Sequence, residues 1–344
     1  KNIIYFDVGG TTTKCALIED GKPKVTTEYK LEYTKFNPGY PIRVPVTDLV
    51  EIGAGGGSIA WFDTGGSLKV GPKSAGADPG PASYNKGGQE PTITDAKLVT
   101  GVINPKNFAS GQFDLRKDLA EKAISKIAKG LGVDLITAAS SIVRIAEANM
   151  INALKLVSIQ RGHDPRDFVL VAGGGGGAMH AASMGKELGV SEIIVPPYPG
   201  YFSAWGMLAT NPKADFAITT LLRSDKNNYQ DIKDIFKKLE EEAVKYFNTN
   251  SDVEKNKINF EKRIDMRYFG QEHTVTIFLN NEIDLKEIID KFHAEHKRAY
   301  TFSLDNTSIE FVTFRLTAYS FSPKPEITEL SNKNKLEDAF VEKR

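Results

Sequence analysis

Asp7 closes an apolar run, Ile3-Ile4-Tyr5-Phe6, and opens through Val8 onto Gly9-Gly10-Thr11-Thr12-Thr13-Lys14. A carboxylate at a strand end beside such a turn can hold Mg²⁺ through water, or orient a nucleophilic water next to a γ-phosphate. Gly9 and Gly10 let main-chain N–H groups come close to phosphate oxygens, and the hydroxyls of Thr11, Thr12 and Thr13 add donors. A second run, Phe168-Val169-Leu170-Val171-Ala172, ends in Gly173, Gly174, Gly175, Gly176 and Gly177 before Ala178-Met179-His180. This segment is expected to pass close to adenine and ribose and to open a helix at Ala178, whose N-terminus favours an anion. Two such turns imply a cleft that grips a nucleotide from both sides. The structural alternatives are an acid that caps its own turn and glycines that serve strand–helix packing.

Further acids stand in glycine-rich surroundings. Asp78 lies in Gly76-Ala77-Asp78, and Asp95 in Thr92-Ile93-Thr94-Asp95-Ala96. Both are candidates for proton transfer or metal binding, and Asp95 can equally cap the helix that follows it. Long glycine loops such as Gly53 to Gly57 with Ser58 are more often functional than structural inside a globular body. His180 reads as a packed or capping residue, and His163-Asp164 as an ordered turn before a proline. His293 and His296 have no third ligand nearby and read as solvated helix surface. Met150, Trp61 and Trp205 read as core.

The elements that position these residues follow from periodicity. Residues 1–30 alternate as strand, phosphate-type turn, strand, turn at Asp20-Gly21 and strand, a β-meander. Residues 42–112 are rich in Gly and Pro. Two helical patterns follow, Leu119-Ala123-Ile124-Ile127 and Ala138-Ile142-Ile145-Ala146-Met150, punctuated by Gly130 and Gly132. Next come a strand at 168–172, a helix near 178–188, a strand at 193–195 and a helix after Pro199-Gly200. This is alternating α/β, with a parallel or mixed sheet. From Ala214 the composition becomes rich in Lys, Asn and Glu, and a second, α+β pattern begins: helix 228–247, strands near 266–269 and 274–278, helix 285–299 and a strand near 309–320. The domain reading is 1–213, then 214–322, then a polar tail, 323–344.

Composition bounds the function. The 344 residues exceed one ordinary core. Lys plus Arg and Asp plus Glu are each 44, which gives no general attraction to nucleic acid or anionic membrane. Cys15 is the one cysteine, which excludes an intrachain disulfide framework and assigns the chain to a reducing cytoplasm. No run is apolar over enough residues to span a bilayer as a helix. The chain opens Lys1-Asn2 directly on a strand, and the reading is of a part of a longer protein.

Several phrases carry a family resemblance. They are Asp7-Val8-Gly9-Gly10-Thr11-Thr12-Thr13, Ile52-Gly53-Ala54-Gly55-Gly56-Gly57-Ser58-Ile59-Ala60-Trp61, Val70-Gly71-Pro72-Lys73-Ser74-Ala75-Gly76-Ala77-Asp78-Pro79-Gly80-Pro81-Ala82, Thr92-Ile93-Thr94-Asp95-Ala96, Arg161-Gly162-His163-Asp164-Pro165-Arg166-Asp167-Phe168 and Met266-Arg267-Tyr268-Phe269-Gly270-Gln271. The chain resembles the hydantoinase A / 5-oxoprolinase family, which includes N-methylhydantoinase A and the nucleotide-binding subunits of acetone and acetophenone carboxylases. The resemblance runs from about residue 3 to about residue 322. It departs at Lys14, where an acid is usual, and at Ser83, where a Cys is usual.

The resemblance implies an α/β fold of the actin/hexokinase/Hsp70-like ATPase class, one half of the cleft, followed by a smaller α+β domain. Residues 3–14 would be the second phosphate loop and 173–177 the adenosine loop. A preceding domain of the same family would supply the other jaw, and a hydantoinase B-type subunit or domain would complete the active site. ATP and Mg²⁺ or another divalent cation are the implied cofactors. The function read is ATP-dependent phosphorylation of a cyclic amide oxygen to drive ring-opening hydrolysis, with no useful ATP hydrolysis by this chain alone. The alternatives are the ATP-using subunit of an acetone- or acetophenone-type carboxylase acting on a carbonyl substrate with bicarbonate, and a non-catalytic nucleotide-sensing subunit. Sugar kinases and dehydratase activators share the first phrase, but a sugar kinase does not explain the phrases at 52–61 and 70–82, and an activator needs more cysteines for an iron–sulfur cluster than the one present without a dimer.

Overall fold

The computed structural model describes the chain except residues 27–28, 33–35, 43–45, 112, 226–228, 251–257, 281–282, 322–323 and 326–344. The tail expected at 323–344 therefore lies outside the described residues, apart from Lys324 and Pro325. Two compact units are present, Lys1–Met207 and Leu208–Glu326.

In the first unit β1 (Ile3–Val8), β2 (Thr13–Glu19) and β3 (Lys22–Pro23) follow one another antiparallel. The short strands β4 (Val25–Thr26), β5 (Tyr29–Leu31), β6 (Tyr40–Ile42) and β7 (Val46–Thr47) pair as β4 with β7 and β5 with β6. β8 (Leu49–Ile52) returns to β2, beyond the β3 pairing. β9 (Ser58–Phe62) and β10 (Leu68–Ser74) form a hairpin. Then come α1 (Ile93–Val99), α2 (Lys117–Leu131), α3 (Leu135–Val157), β11 (Val169–Gly173), α4 (Gly174–Leu188), β12 (Ile193–Ile194) and α5 (Phe202–Leu208). The main sheet has six strands, with β12-β11-β1-β2-β3 in order and β8 also on β2. β11 runs parallel to β1, so the sheet is mixed.

The period-2 pattern of β1 decides which side chains meet the helices. Ile4, Phe6 and Val8 are buried in the core that Ala96, Ile142, Ala146 and Met150 share. Each such side chain contributes roughly 1.5–3 kcal/mol by leaving water. Tyr5 and Asp7 occupy the other face. The register sets Asp7 opposite Gly173, so the two apolar runs end side by side. Between α2 and α3 the chain turns at Gly132, in the left-handed region at φ 67°, and Asp134 caps α3 by accepting from Thr137 N–H at 2.9 Å.

The second unit is an antiparallel four-stranded sheet of β13 (Lys213–Arg223), β14 (Ile258–Tyr268), β15 (Val275–Phe278) and β16 (Ile309–Ser320), in the order β13-β16-β14-β15. The helices α6 (Tyr229–Asn250) and α7 (Leu285–Tyr300) bury Ile232, Phe236, Leu239, Ile288 and Phe292 against it. The 266–271 phrase is explained within this unit. Tyr268 is fully buried and its hydroxyl meets His293 Nδ1 at 2.6 Å. Gln271 Oε1 meets His296 Nε2 at 3.2 Å, and Phe302 carbonyl meets its Nδ1 at 2.9 Å. His296 is 1% exposed, which corrects its reading as solvated surface. Its ring lies among Tyr268, Phe292, Tyr300 and Phe302, on the face of α7 that the charged sequence around it concealed. Trp61 is also not core: it is 42% exposed, and its Nε1 donates to the Gly71 carbonyl at 2.9 Å.

Candidate functional site

The turn after β1 is built from main chain. Gly9 N–H donates to the Thr12 carbonyl at 3.0 Å. The Gly9 carbonyl accepts from Gly56 N–H at 3.0 Å and the Gly10 carbonyl from Gly57 N–H at 2.6 Å. The 53–57 loop is thus docked on this turn, and its glycines are required there. A Cβ on Gly55 would sit 2.7 Å from the Thr11 backbone. Among the described residues the N–H groups of Gly10 and Thr11 have no hydrogen-bond partner.

The second glycine run is not a turn before a helix. It is the first turn of α4, which begins at Gly174 rather than at Ala178. Packing explains most of it. A Cβ on Gly173 would overlap the Tyr5 hydroxyl, one on Gly174 would lie 2.5 Å from Asp7 Oδ1, and one on Gly176 would lie 2.9 Å from Val8 Cγ1. Gly175 is different, because a Cβ there would meet nothing within 4 Å, and the same holds for Gly10. No side chain caps the helix at Gly173, so its opening N–H groups keep the partial positive charge of a helix N-terminus.

Gly9, Gly10, Gly175 and Gly176 line one cleft of about 480 Å³. Gly56, Gly57, Gly76 and Thr94 complete its glycine side, while Tyr84, Ile103, Asn107, Phe108 and Met179 form a wall that carries side chains. Ligand clefts of this size pair an apolar wall with a few polar groups. Here the polar side chains are Thr94, Asn104 and Asn107, beside the unpaired N–H of Gly10.

Asp7 lies beside this cleft and does not line it. Its Oδ2 accepts from Ser203 Oγ at 2.6 Å and from Tyr5 Oη at 3.0 Å. Burial, with the neighbouring Asp7 charge, pushes the Tyr5 phenol up to about 12, so it stays a donor. Asp7 Oδ1 faces Gly174.

The remaining sequence candidates divide. Thr11 is exposed at the turn, and Thr12 Oγ1 accepts from Lys14 Nζ at 3.5 Å. Thr13 is fully buried and donates to the Ala54 carbonyl at 2.5 Å, which removes it from the donors expected for phosphate. Lys14 pairs with Glu51 across the β2–β8 ladder at 3.3 Å. Asp78 is exposed between Gly76 and Pro81, both of which line the cleft. Asp95 is corrected. It is fully buried at the third position of α1, in a capping box with Thr92. Its oxygens accept from Ala82 N–H at 3.2 Å, Ser83 N–H at 2.9 Å, Thr92 N–H at 3.1 Å and Thr92 Oγ1 at 2.8 Å. Four donors thus engage the carboxylate, three of them on Oδ2, and Asp95 staples the 82–84 turn to α1, the capping alternative open to it in the sequence.

Sequence reasoning missed a buried ionic cluster. Lys97 of α1 donates to Glu147 Oε1 of α3 at 3.1 Å and to the Met179 carbonyl of α4 at 2.9 Å. His180 Nδ1 meets the same Glu147 oxygen at 2.9 Å. Burial raises the Glu147 carboxyl, but the His180 bond and the Lys97 charge outweigh it and hold the group at about 2. Burial is also the main cause that lowers His180, so its ring is neutral near pH 7. The available signal was charge inside apolar stripes: Lys97 within the fully buried α1, and Glu147 beside Ala146 and Met150.

Comparison with known proteins now decides the family. The hydantoinase/oxoprolinase profile matches residues 1–216, and the hydantoinase/oxoprolinase C-terminal domain profile matches 222–344. The chain belongs to the hydantoinase/oxoprolinase family. An uncharacterised protein of Methanocaldococcus jannaschii is 43% identical over 95% of this chain and 48% of its own length. The caprolactamase alpha subunit of Pseudomonas jessenii is 32% identical over 96% of this chain and 48% of its own. The crystal structure of that ATP-dependent caprolactamase superposes with TM-score 0.76 at 32% identity, covering 97% of this chain and 49% of that one. The acetophenone carboxylase gamma subunit of Aromatoleum aromaticum is 41% identical over 60% of this chain and 28% of its own length. The hydantoinase/oxoprolinase chain spans about half the length of the first two relatives. Its fold is the α/β actin/hexokinase/Hsp70-like ATPase type expected from the sequence. Among the described residues, no helix is long and apolar enough to cross a membrane.

Proposed function

We propose that this chain is the nucleotide-binding part of an ATP-dependent enzyme that phosphorylates a cyclic amide oxygen to drive ring-opening hydrolysis. The observation that carries the reading is the single cleft lined by Gly9, Gly10, Gly175 and Gly176, where added side chains at Gly10 and Gly175 would meet only open space. Such walls fit a polyphosphate, because the unpaired Gly10 N–H and the first turn of α4, through Gly175 and Gly176, border it. The ATP-dependent caprolactamase supports the choice of acceptor through its likeness over nearly the whole chain.

An amide resists hydrolysis because its nitrogen lone pair is delocalised. Transfer of the γ-phosphoryl group to the amide oxygen, with ADP leaving, traps the imidate form. Water adds at that carbon, and the C–N bond breaks to leave an acyl phosphate, which a second water hydrolyses. The chain's work is to place the phosphates and exclude misaligned geometries. Asp7 would hold Mg²⁺ through water or orient a water, and the ion would neutralise charge on the transferring phosphoryl group. Among the described residues no group of three or more His, Cys, Asp or Glu side chains could hold a metal ion. The other jaw of the cleft and a hydantoinase B-type partner belong to the same proposal, as does a cytoplasmic setting.

A second reading, phosphorylation of bicarbonate for a carboxylase, rests on the 41% identity to the acetophenone carboxylase gamma subunit. One experiment separates the two. In the complete assembly, phosphate release is measured with ATP plus five- to eight-membered lactams and hydantoins, and with ATP plus ketone and bicarbonate. Stimulation by a cyclic amide is expected. Stimulation only by ketone with bicarbonate selects the carboxylase, and absence of AMP-PNP binding by calorimetry overturns both.

A further inference from the structure

The two glycine walls of the cleft belong to elements far apart in sequence, and a path of hydrogen bonds and one turn of α1 joins them through the protein. It starts at the Gly9 carbonyl, which accepts from Gly56 N–H at 3.0 Å. The Gly56 carbonyl accepts from Thr94 N–H at 2.8 Å and from Thr94 Oγ1 at 2.9 Å. Thr94 and Lys97 lie one helical turn apart on α1. Lys97 Nζ then reaches the Met179 carbonyl on α4 at 2.9 Å, and Met179 shares the cleft lining with Thr94 and Gly56. Glu147 holds Lys97 and His180 on one oxygen, so the cation is fixed between α1, α3 and α4.

We infer that Lys97, Glu147 and His180 are positioning residues that set the spacing between the Gly9–Gly10 wall and the α4 wall, and so tune nucleotide binding without touching the nucleotide. The inference rests on the nucleotide reading of the cleft.

Two observations set the cluster apart from ordinary packing. α1, α3 and α4 already meet through Ala96, Leu98, Ala146, Met150, Ala181 and Met184, all buried. A buried Lys97–Glu147 ion pair with a neutral imidazole adds desolvation cost to a contact that apolar residues fill as well, so its stabilising value there is small. Second, Lys97 holds a main-chain carbonyl in the opening turns of α4, where a shift of the helix moves Gly175 and Gly176 with it. A displacement of the order of 1 Å at such a wall can cost ~100-fold in rate.

The test uses the complete protein and AMP-PNP as probe. The apolar triple variant Lys97→Met/Glu147→Leu/His180→Phe removes every charge while keeping volume. It is expected to melt within a few degrees of wild type and to bind AMP-PNP about tenfold more weakly. The Lys97→Arg variant, which keeps a cation with several donors, is expected to regain part of the affinity that Lys97→Met loses. Wild-type affinity in the folded triple variant overturns the inference. Should the variants not fold, hydrogen exchange on the unaltered protein decides. AMP-PNP is expected to slow exchange at 94–99 and 175–182 together, and protection confined to 175–177 overturns the inference. A wild-type protein that binds no AMP-PNP refutes the nucleotide reading instead.

Discussion

Asp7 and Gly174 are joined so closely that a single methyl group would not fit between them: a Cβ on Gly174 would lie 2.5 Å from Asp7 Oδ1. Gly174 also has φ +78°, a conformation that side chains disfavour. The phosphate-type turn and the glycine helix therefore meet at a point where the fold itself forbids a side chain. Gly10 and Gly175, by contrast, face open space in the cleft.

That contrast gives the first prediction. Gly174→Ala is expected to destabilise the fold by about 2–4 kcal/mol, from overlap and backbone strain together, and to lower the melting temperature by several degrees. Gly10→Val is expected to melt within a few degrees of wild type and to abolish AMP-PNP binding, because its side chain projects into the cleft. Thermal melts beside calorimetric titrations check both. A Gly10→Val protein that is folded and binds normally removes the turn from the phosphate site.

The second prediction concerns Asp7. Asp7→Asn keeps acceptance from Tyr5 and Ser203 but loses the anion, so binding should stay within about tenfold while single-turnover phosphate release falls at least ~100-fold. Ser203→Ala frees Oδ2 from its 2.6 Å bond, and its effect should fall on turnover more than on affinity. Near-wild-type turnover in Asp7→Asn would make Asp7 an anchor for the strand end only.

Much of this site was legible beforehand, for a physical reason. Glycine at a strand end is a local signal, and both runs could be read without knowing their neighbours. The strand at 309–320 and the α7 helix were legible from period alone. What was not legible was partnership over long separations. Asp95 reads equally as a free acid or a helix cap until the 82–84 turn folds over it, and Thr13 looks like a phosphate donor until Ala54 is placed against it. The glycines at 174–177 read as a turn because glycine is a poor helix former. Contact with Tyr5, Asp7 and Val8 overrides that propensity, and only tertiary structure reveals it.

A third prediction follows from Ser83. Among the described residues its buried hydroxyl has no hydrogen-bond partner, and such a group costs about 1–3 kcal/mol. Ser83→Cys replaces the hydroxyl with a slightly larger, less polar thiol and is expected to raise the melting temperature by a few degrees. A lowered melting temperature would mean that the hydroxyl has a partner, such as an ordered water.

The fourth prediction is a pH dependence with a definite sign. Glu147 is held at about 2 in the folded chain against an ordinary 4.5, so its contribution to stability is complete above about 4.5 and is lost as pH falls toward 2. His180 is lowered from 6.5, so its neutral buried ring stabilises above that value and loses this contribution as pH falls below it. Lys97 lies against both groups, at 3.1 Å from Glu147 and with its charge acting on His180. The two effects act in the same direction, and melting temperature should fall steadily between pH 7 and pH 3. Glu147→Gln should flatten the lower part of that curve, and His180→Phe the upper part. Curves parallel to wild type in both variants would assign the acid sensitivity elsewhere.

The glycine wall of the cleft has a consequence for how this protein can change over time. A surface made of main chain has no side chain to exchange, and substitutions at Gly10 or Gly175 can only obstruct it. Point mutation therefore has no gradual route to a different polyphosphate grip on that wall. Divergence in ligand choice is channelled to the facing side, where Tyr84, Ile103 and Phe108 can be resized one at a time. For the same reason, an inhibitor that drew its affinity from the glycine wall would leave a cell few single-residue routes to resistance.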